Sequence, residues 1–422
     1  MLDVRWVLEN VEAVRAKTQA RGSAFPFDRL EGLAAERRAA VHEAESRRAE
    51  QKRRSDALKA LQPGTDAFMQ EREALKLLAQ EVKGLEERRR VVEETLDALI
   101  LELPNVVDDR TPLGASDQDN VELRRHGQVP TFAFSVRDHV DLGDGLGGLH
   151  MEEAGRVSGA RFAFLSGVLA KLERALVSFM LDVHTQEHGY REMLPPYLVQ
   201  AAALVGTGQL PKFEEDLFRA GDHFLIPTAE VPVTNFHREQ LLGDFRTPYR
   251  YAAFSPCFRR EAGSHGRDTR GLIRLHQFHK VELVIVCRPE ESEEEHHALV
   301  GHATRILELL ELPHRVIELC AGDIGFSASR CFDIEAWLPS QGRWVEVSSC
   351  SNFRDFQARR AQIRYRDDEG RARHVHTLNG SGLAVGRTMV VLLENHQRED
   401  GSIHIPEALR PYMGGRSLLL PE

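Results

Sequence analysis

Residues 254–283 read FSPCFRREAGSHGRDTRGLIRLHQFHKVEL, two apolar-patterned segments joined by a loop of Gly, Ser, Asp and Arg. Strand periodicity sends alternate side chains to opposite faces, so Arg259 and Glu261 of the first segment and Arg274, Phe278 and Glu282 of the second are expected on one face. Such a face suits a nucleotide. Guanidinium forks neutralise phosphates, an aromatic ring stacks on a base, and carboxylates accept from an exocyclic amine or an ammonium group. The alternative for this stretch alone is the solvated face of a surface hairpin.

Outward from that hairpin, a chain of 422 residues is long enough for two domains, and 42% hydrophobic residues suffice to fill their cores. The formal net charge of -10 argues against indiscriminate coating of nucleic acid, so a nucleic-acid partner has to be met by local basic patches. Cys257, Cys287, Cys320, Cys331 and Cys350 are widely spaced with no CxxC pair, which predicts free thiols in a reducing compartment and no zinc ribbon. The first residues, MLDVRWVLEN, lack a basic-then-apolar leader pattern. No segment approaches the roughly 18 apolar residues of a membrane span, and a cytoplasmic protein with no membrane partner is expected.

Between Asp28 and Leu103 the composition turns to Ala, Leu, Glu and Arg, broken once at Gln62-Pro63-Gly64-Thr65. Leu75, Leu78, Val82, Leu85, Val92, Leu96, Leu99 and Leu103 recur at coiled-coil spacing, with Arg89 at the one polar seam position. On the first side Leu30, Leu33, Val41, Ala44, Leu58 and Leu61 leave a polar middle, where loose packing is expected. Two helices of about 30 residues each predict an antiparallel hairpin on the order of 50 Å long. Lys52, Arg53, Arg54 and Lys59 fall near its tip, either as a nucleic-acid contact or as ordinary solvated helix surface.

Leu103-Pro104-Asn105 closes the hairpin and the polar run from Thr111 to Asn120 reads as a linker, giving domains at 1–110 and 111–422. The second domain reads as mixed α+β: a helix over Ala163 to Glu187, strands around Phe224, Tyr251, Arg274, Cys331 and Trp344, and a helix after Gly382. Hairpin-like neighbours favour an antiparallel sheet with helices packed on it. Gly143, Gly145 and Gly148 fit GxGxxG, but no apolar strand precedes them, and no GxxxxGK[ST] loop occurs, so side chains must hold any nucleotide. The acidic and histidine run from Glu293 to His297 reads as a solvent-facing helix. His374 and His376 lack a third ligand at a recognisable spacing.

Three further segments carry polar chemistry. Thr228, Ala229 and Glu230 put a hydroxyl and a carboxylate after a strand, a grip for a small ammonium-bearing ligand. Glu346 and Ser348 are expected on one strand face with Ser349 just beyond, oxygen donors suited to Mg²⁺ on phosphates. Residues 377–388, TLNGSGLAVGRT, supply amide and hydroxyl groups followed by an arginine in the first turns of a helix.

Taken together, these segments resemble the bacterial-type seryl-tRNA synthetases, class II aminoacyl-tRNA synthetases, over essentially the whole chain. The likeness is carried by VSGARF at 157–162, HGYREMLPPYL at 188–198, GTGQLPKFEEDLF at 206–218 and IPTAEVP at 226–232, then FRREAGS, RDTRGLIRLHQFHKVE, SSCSNFRDFQARRA and TLNGSGLAVGRT, in that order. The resemblance implies a class II antiparallel sheet flanked by helices, an N-terminal coiled-coil arm for the long variable arm of tRNA(Ser), with tRNA(Sec) as a further candidate, and a homodimer formed through the segment ending at Pro196. It also implies L-serine and ATP as substrates, with Mg²⁺ held by Glu346 and Ser349. By the same likeness Arg259 holds the α-phosphate and the serine carboxylate, Glu261 meets adenine, and adenine stacks between Phe278 and Arg387. Arg260, Arg274, Val347, Ser348 and Ser349 complete the nucleotide set, and Thr228, Ala229, Glu230, Glu282, Asn379 and Ser381 surround serine. Arg259, Glu346 and Arg387 are the implied catalytic groups. An amino acid:carrier-protein ligase is the enzymatic alternative, disfavoured by the long arm. A non-catalytic tRNA-binding paralogue is the other, disfavoured by the presence of Arg259, Glu282, Glu346 and Arg387.

Overall fold

The computed structural model describes residues 1–243, 245–262 and 270–422. The loop of Gly, Ser, Asp and Arg expected within the opening hairpin falls on 263–269, outside the described residues. The chain divides into two compact units, one of Leu2–Gln19 and Ser23–Pro104, the other of Met1, Ala20–Gly22 and Asn105–Glu422. Among the described residues no helix is long and apolar enough to cross a membrane.

In the first unit, helix α1 (Phe27–Leu58) pairs with helix α2 (Asp66–Ile100), which Thr65 caps by accepting from the Phe68 amide. The expected seam is the buried one: Leu78, Val82, Val92, Leu96 and Leu99 are all under a tenth exposed. Beyond Ala44 no residue of α1 is buried, so its middle is polar as expected. Arg47 reaches Glu81, Arg54 Glu71, Arg37 Glu93 and Arg88 Glu36, and Arg89 at the seam shares Glu93 with Arg37, so ion pairs span the helices where apolar contacts run out. Each such exposed pair contributes little, about 0–1 kcal/mol, but the set fixes register.

The second unit is built on an eight-stranded sheet. Its strands are β1 (Val121–His126), β2 (Arg191–Met193), β3 (Tyr249–Phe258), β4 (Gln277–Cys287), β5 (His314–Glu318), β6 (Arg330–Leu338), β7 (Arg343–Arg354) and β8 (His376–Ala384). Their order is β1-β5-β6-β7-β8-β4-β3-β2, antiparallel throughout except for the β2–β3 edge. Helices α3 (Gly167–Gln186), α4 (Ser292–Leu309) and α5 (Val385–Asn395) cover one face. Alternation explains that face: Val281, Leu283 and Ile285 of β4, Phe332 and Ile334 of β6, and Leu378 of β8 enter this core, leaving the intervening residues to the other side.

Three expectations are corrected here. Arg274 is not in a strand, since β4 begins at Gln277. The run from Glu293 to His297 is solvated at Glu294 and His297 but not throughout. Glu295 is buried in a bidentate pair with Arg250 (2.8 and 2.6 Å) and His296 donates to the Cys350 carbonyl (2.8 Å). Residues 111–120 are no free linker, because Pro112 and Gly114 carbonyls accept from Ala321 and Gly322 amides and Asn120 bonds Cys320 and Asp323. The glycines Gly143 and Gly148 serve packing, lying where a β-carbon would strike Leu149 and Leu169. All five cysteines are buried free thiols.

Candidate active site

The sheet face opposite the helices forms the floor of a cavity of about 650 Å³, well within the size of small-molecule sites. β3 and β4 reach it as a two-stranded ribbon, and the Arg259 amide, donating to the His276 carbonyl (2.9 Å), carries the pairing one residue past the end of β3. Beyond that point the strand argument fails. Glu261 adopts a left-handed φ of +52°, and Arg274 lies in the turn before β4, so neither reaches the shared face by alternation. They meet as an ion pair, Arg274 Nε standing 2.9 Å from Glu261 Oε2. Arg259, Glu261, Arg274 and Phe278 all line the cavity, and the Arg259 guanidinium lies 5.2 Å from the Phe278 ring centroid.

Glu282 sits just beneath the lining. Fully buried, it is held by Thr228 Oγ1 (2.8 Å), Asn379 Nδ2 (3.2 Å) and an ion pair with Lys280. Lys280 Nζ also donates to Thr228 Oγ1 (3.1 Å), and Thr228, Lys280, Asn379 and Ser381 line the cavity. Beside them Glu230 accepts from Gln357 Nε2 (2.6 Å), an amide fixed in turn by Thr377 Oγ1 (2.7 Å). Burial, reinforced by the charge of Glu282, pushes the Glu230 carboxyl up to about 7. This part of the cavity is therefore a cluster of carboxylates, hydroxyls and amides around the Lys280 ammonium, a polar setting for a small ligand.

Glu346 and Ser349, not Glu346 and Ser348, share the cavity face. A bulge sets Glu335 opposite Glu346 but Ile334 opposite Ser348, and the extra residue shifts the alternation. Ser348 is consequently buried, donating to the Ser381 carbonyl (2.6 Å), and Val347 lies in the core. Arg387, in the first turn of α5, donates to the Glu346 carbonyl (2.8 Å) and stands 3.3 Å from its carboxylate. Asp333 of β6 faces the same corner, its pKa raised by burial and by the nearby charge of Glu346.

Of the anticipated residues, the structure brings Thr228, Glu230, Arg259, Glu261, Arg274, Phe278, Glu346, Ser349, Asn379, Ser381 and Arg387 to one cavity, with Glu282 directly below. Ala229 is buried beside it, and Arg260 points to solvent while its amide donates to Asp216. In the other unit Lys52 and Arg53 are exposed, whereas Arg54 is engaged by Glu71 (2.7 and 2.9 Å) and Lys59 by Asp56 (2.7 Å). Sequence reasoning missed Lys280, Asp333 and Gln357. Lys280 shares the parity of Phe278 and Glu282, and Asp333 is an acid between Phe332 and Ile334, so alternation could have found both; Gln357 gave no signal.

Residues 1–107 match the family described as seryl-tRNA synthetase N-terminal domain, and residues 212–396 match the tRNA synthetase class II core domain (G, H, P, S and T). The serine–tRNA ligase of Syntrophotalea carbinolica is 54% identical over 98% of this chain and 99% of its own length, and that of Bacillus cereus is 52% identical over 99% and 100%. The crystal structure of seryl-tRNA synthetase from Pyrococcus horikoshii complexed with ATP superposes with a TM-score of 0.91 at 34% identity, covering all of both chains.

Proposed function

The chain belongs to the seryl-tRNA synthetase family, and from that membership we propose how its cavity makes seryl-tRNA. As a class II serine–tRNA ligase it joins serine to tRNA at the expense of ATP. The observation that carries the detailed reading is one cavity with two chemically distinct ends: arginines around an aromatic ring at one, and Thr228, Glu230, Asn379 and Ser381 over Glu282 at the other.

In this reading adenine stacks on Phe278 with Arg387 above it and Glu261 at its amine. Arg259 spans both ends, taking an α-phosphate oxygen and the serine carboxylate. A serine carboxylate oxygen attacks the α-phosphorus in line, the bond to the β-phosphate oxygen breaks, and seryl-adenylate and pyrophosphate result. No covalent bond to the protein is needed. Alignment of the two substrates by Arg259 and neutralisation of the phosphates supply the rate. A 3′-terminal ribose hydroxyl of tRNA then attacks the seryl carbonyl and AMP leaves.

Glu346, Ser349 and the adjacent Asp333 form a hard-oxygen donor set, which fits Mg²⁺. Bound there, Mg²⁺ would neutralise phosphate charge.

Thr228 and Glu230 face the serine ammonium, and the hydroxyls and amide near Glu282 receive the serine side chain. A site built to hydrogen-bond a hydroxyl rejects alanine strongly, because its buried polar groups are left unpaired. The exposed Lys52 and Arg53 of the helical arm are assigned to tRNA phosphates, with tRNA(Ser) and tRNA(Sec) as acceptors. A homodimer is supported by the apolar side chains left outside at Leu194 (83% exposed) and Phe164 (47%). Arg259→Ala tests the assignment: serine-dependent exchange of pyrophosphate into ATP should vanish, and normal exchange would remove Arg259 from the mechanism.

A further inference from the structure

Residues 324–329 connect β5 to β6 and contribute Gly325, Phe326, Ser327 and Ala328 to the cavity wall. Buried carbonyls in a segment without regular structure need donors from elsewhere. Here all six accept from two short pieces of chain far away in sequence, and the Gly325 carbonyl also takes a local donor, the Ala328 amide (3.1 Å). Arg21 donates to Ile324 (3.3 Å), Gly325 (2.5 Å) and Ala328 (3.0 Å). The Asn105 amide donates to Phe326 (3.0 Å) and its Nδ2 to Ser327 (2.9 Å). Ser329 accepts from the Asp108 amide (2.9 Å) and Thr111 Oγ1 (3.2 Å).

Arg21 is 8% exposed and has no carboxylate partner among the described residues, and burial lowers its pKa only to about 10, so it stays charged. A cation held in that setting is costly unless its donors are used, and they are used on this one loop. The wall in turn touches the polar end of the cavity. Ser327 Oγ donates to the Thr207 carbonyl (3.3 Å), and Gln357 Nε2 bridges that carbonyl (3.2 Å) to Glu230 (2.6 Å). Gly208, at φ +90°, lies so close to Ser327 Oγ that a β-carbon there would collide with it.

We propose that Arg21 is a positioning residue for serine binding: its guanidinium fixes the Ile324–Ala328 wall, which through Ser327, Thr207 and Gln357 holds Glu230 in place. The inference rests on the reading that serine occupies the Thr228–Glu230 end. Arg21→Met releases the Ile324, Gly325 and Ala328 carbonyls, Asn105→Ala releases those of Ser327 and of Phe353 on β7, and Arg21→Lys keeps the charge while losing the fork. Serine and ATP dependences of pyrophosphate exchange are measured on the full chain, with active sites counted by adenylate burst. Arg21→Met and Asn105→Ala are expected to raise KM for serine about tenfold, with KM for ATP and kcat per active site moving less than about threefold and Arg21→Lys intermediate. A general structural defect would instead reduce the number of active sites and leave KM for serine alone. If Arg21→Met does not fold, Arg21→Lys and Asn105→Ala carry the test. Unchanged KM for serine in the folded variants overturns the proposal. Thr228→Ala separates the two levels: if it too leaves KM for serine unchanged, the placement of serine is wrong, whereas if it alone raises KM, only the role of Arg21 is lost.

Discussion

Glu230→Gln separates what this carboxylate costs the fold from what it contributes to the substrate. Glu230 is 6% exposed, and its pKa rises from 4.5 to about 7 because burial, and then Glu282, disfavours the anion. Below pH 4.5 folded and unfolded chains both hold the proton; above it the unfolded chain releases first, so the stability associated with the bound proton is lost as pH rises through 7. Linkage over that interval amounts to about 2 kcal/mol between pH 5.5 and pH 8. Glutamine keeps the acceptor for Gln357 Nε2 without a titrating proton. Thermal or urea unfolding of parent and Glu230→Gln should thus diverge by about 2 kcal/mol in favour of the variant on going from pH 5.5 to pH 8. Serine binding should move the other way, because its ammonium needs the anion. KM for serine in the parent is expected to rise about tenfold from pH 8 to pH 6, as the ionised fraction falls to roughly one in ten, and to be high and flat in the variant. Parallel pH slopes of both stability and KM in the two proteins would refute the reasoning.

Arg259→Ala removes the cation proposed to hold both the α-phosphate and the serine carboxylate, and the loss in kcat/KM for pyrophosphate exchange should be at least about 10²–10³-fold at unchanged melting temperature. Phe278→Ala should raise KM for ATP by about tenfold, worth a stacking contact of roughly 1–2 kcal/mol, while KM for serine changes little; equal shifts in both would contradict the stacking role. Replacing residues 29–101 by a short flexible loop should leave adenylation within a few-fold but cripple tRNA charging, and Lys52→Ala with Arg53→Ala in the full chain should lower tRNA affinity and flatten its salt dependence. Equal loss of adenylation and charging on deletion counts against a separable arm.

How far the sequence could be read depended on where alternation held. Phe278 and Glu282 lie inside β4 and were legible by spacing, as was the seam of α2 from Leu78 to Leu99. Alternation misled wherever the ladder was broken. The bulge at Val347 exchanged Ser348 for Ser349, and the end of the β3–β4 pairing after Arg259 released Glu261 from strand geometry. The ion pairs across the polar middle of α1 were not legible, because partners such as Glu81 and Glu71 are invisible to a one-helix pattern. Glu295 and His296 looked solvated for the same reason, their partners Arg250 and the Cys350 carbonyl lying on strands distant in sequence. Arg21 is the extreme case: its acceptors are more than 300 residues away and are backbone atoms, which carry no residue-type signal at all.

Exchange of labelled pyrophosphate into ATP, run with each amino acid in turn on the full chain, tests the account most directly. Exchange with serine far above every other amino acid, and alanine near background despite its smaller size, is the predicted outcome. Exchange that is indifferent to the amino acid, or strongest with one lacking a hydroxyl, would contradict the assignment of the Thr228–Glu230–Glu282 end to serine.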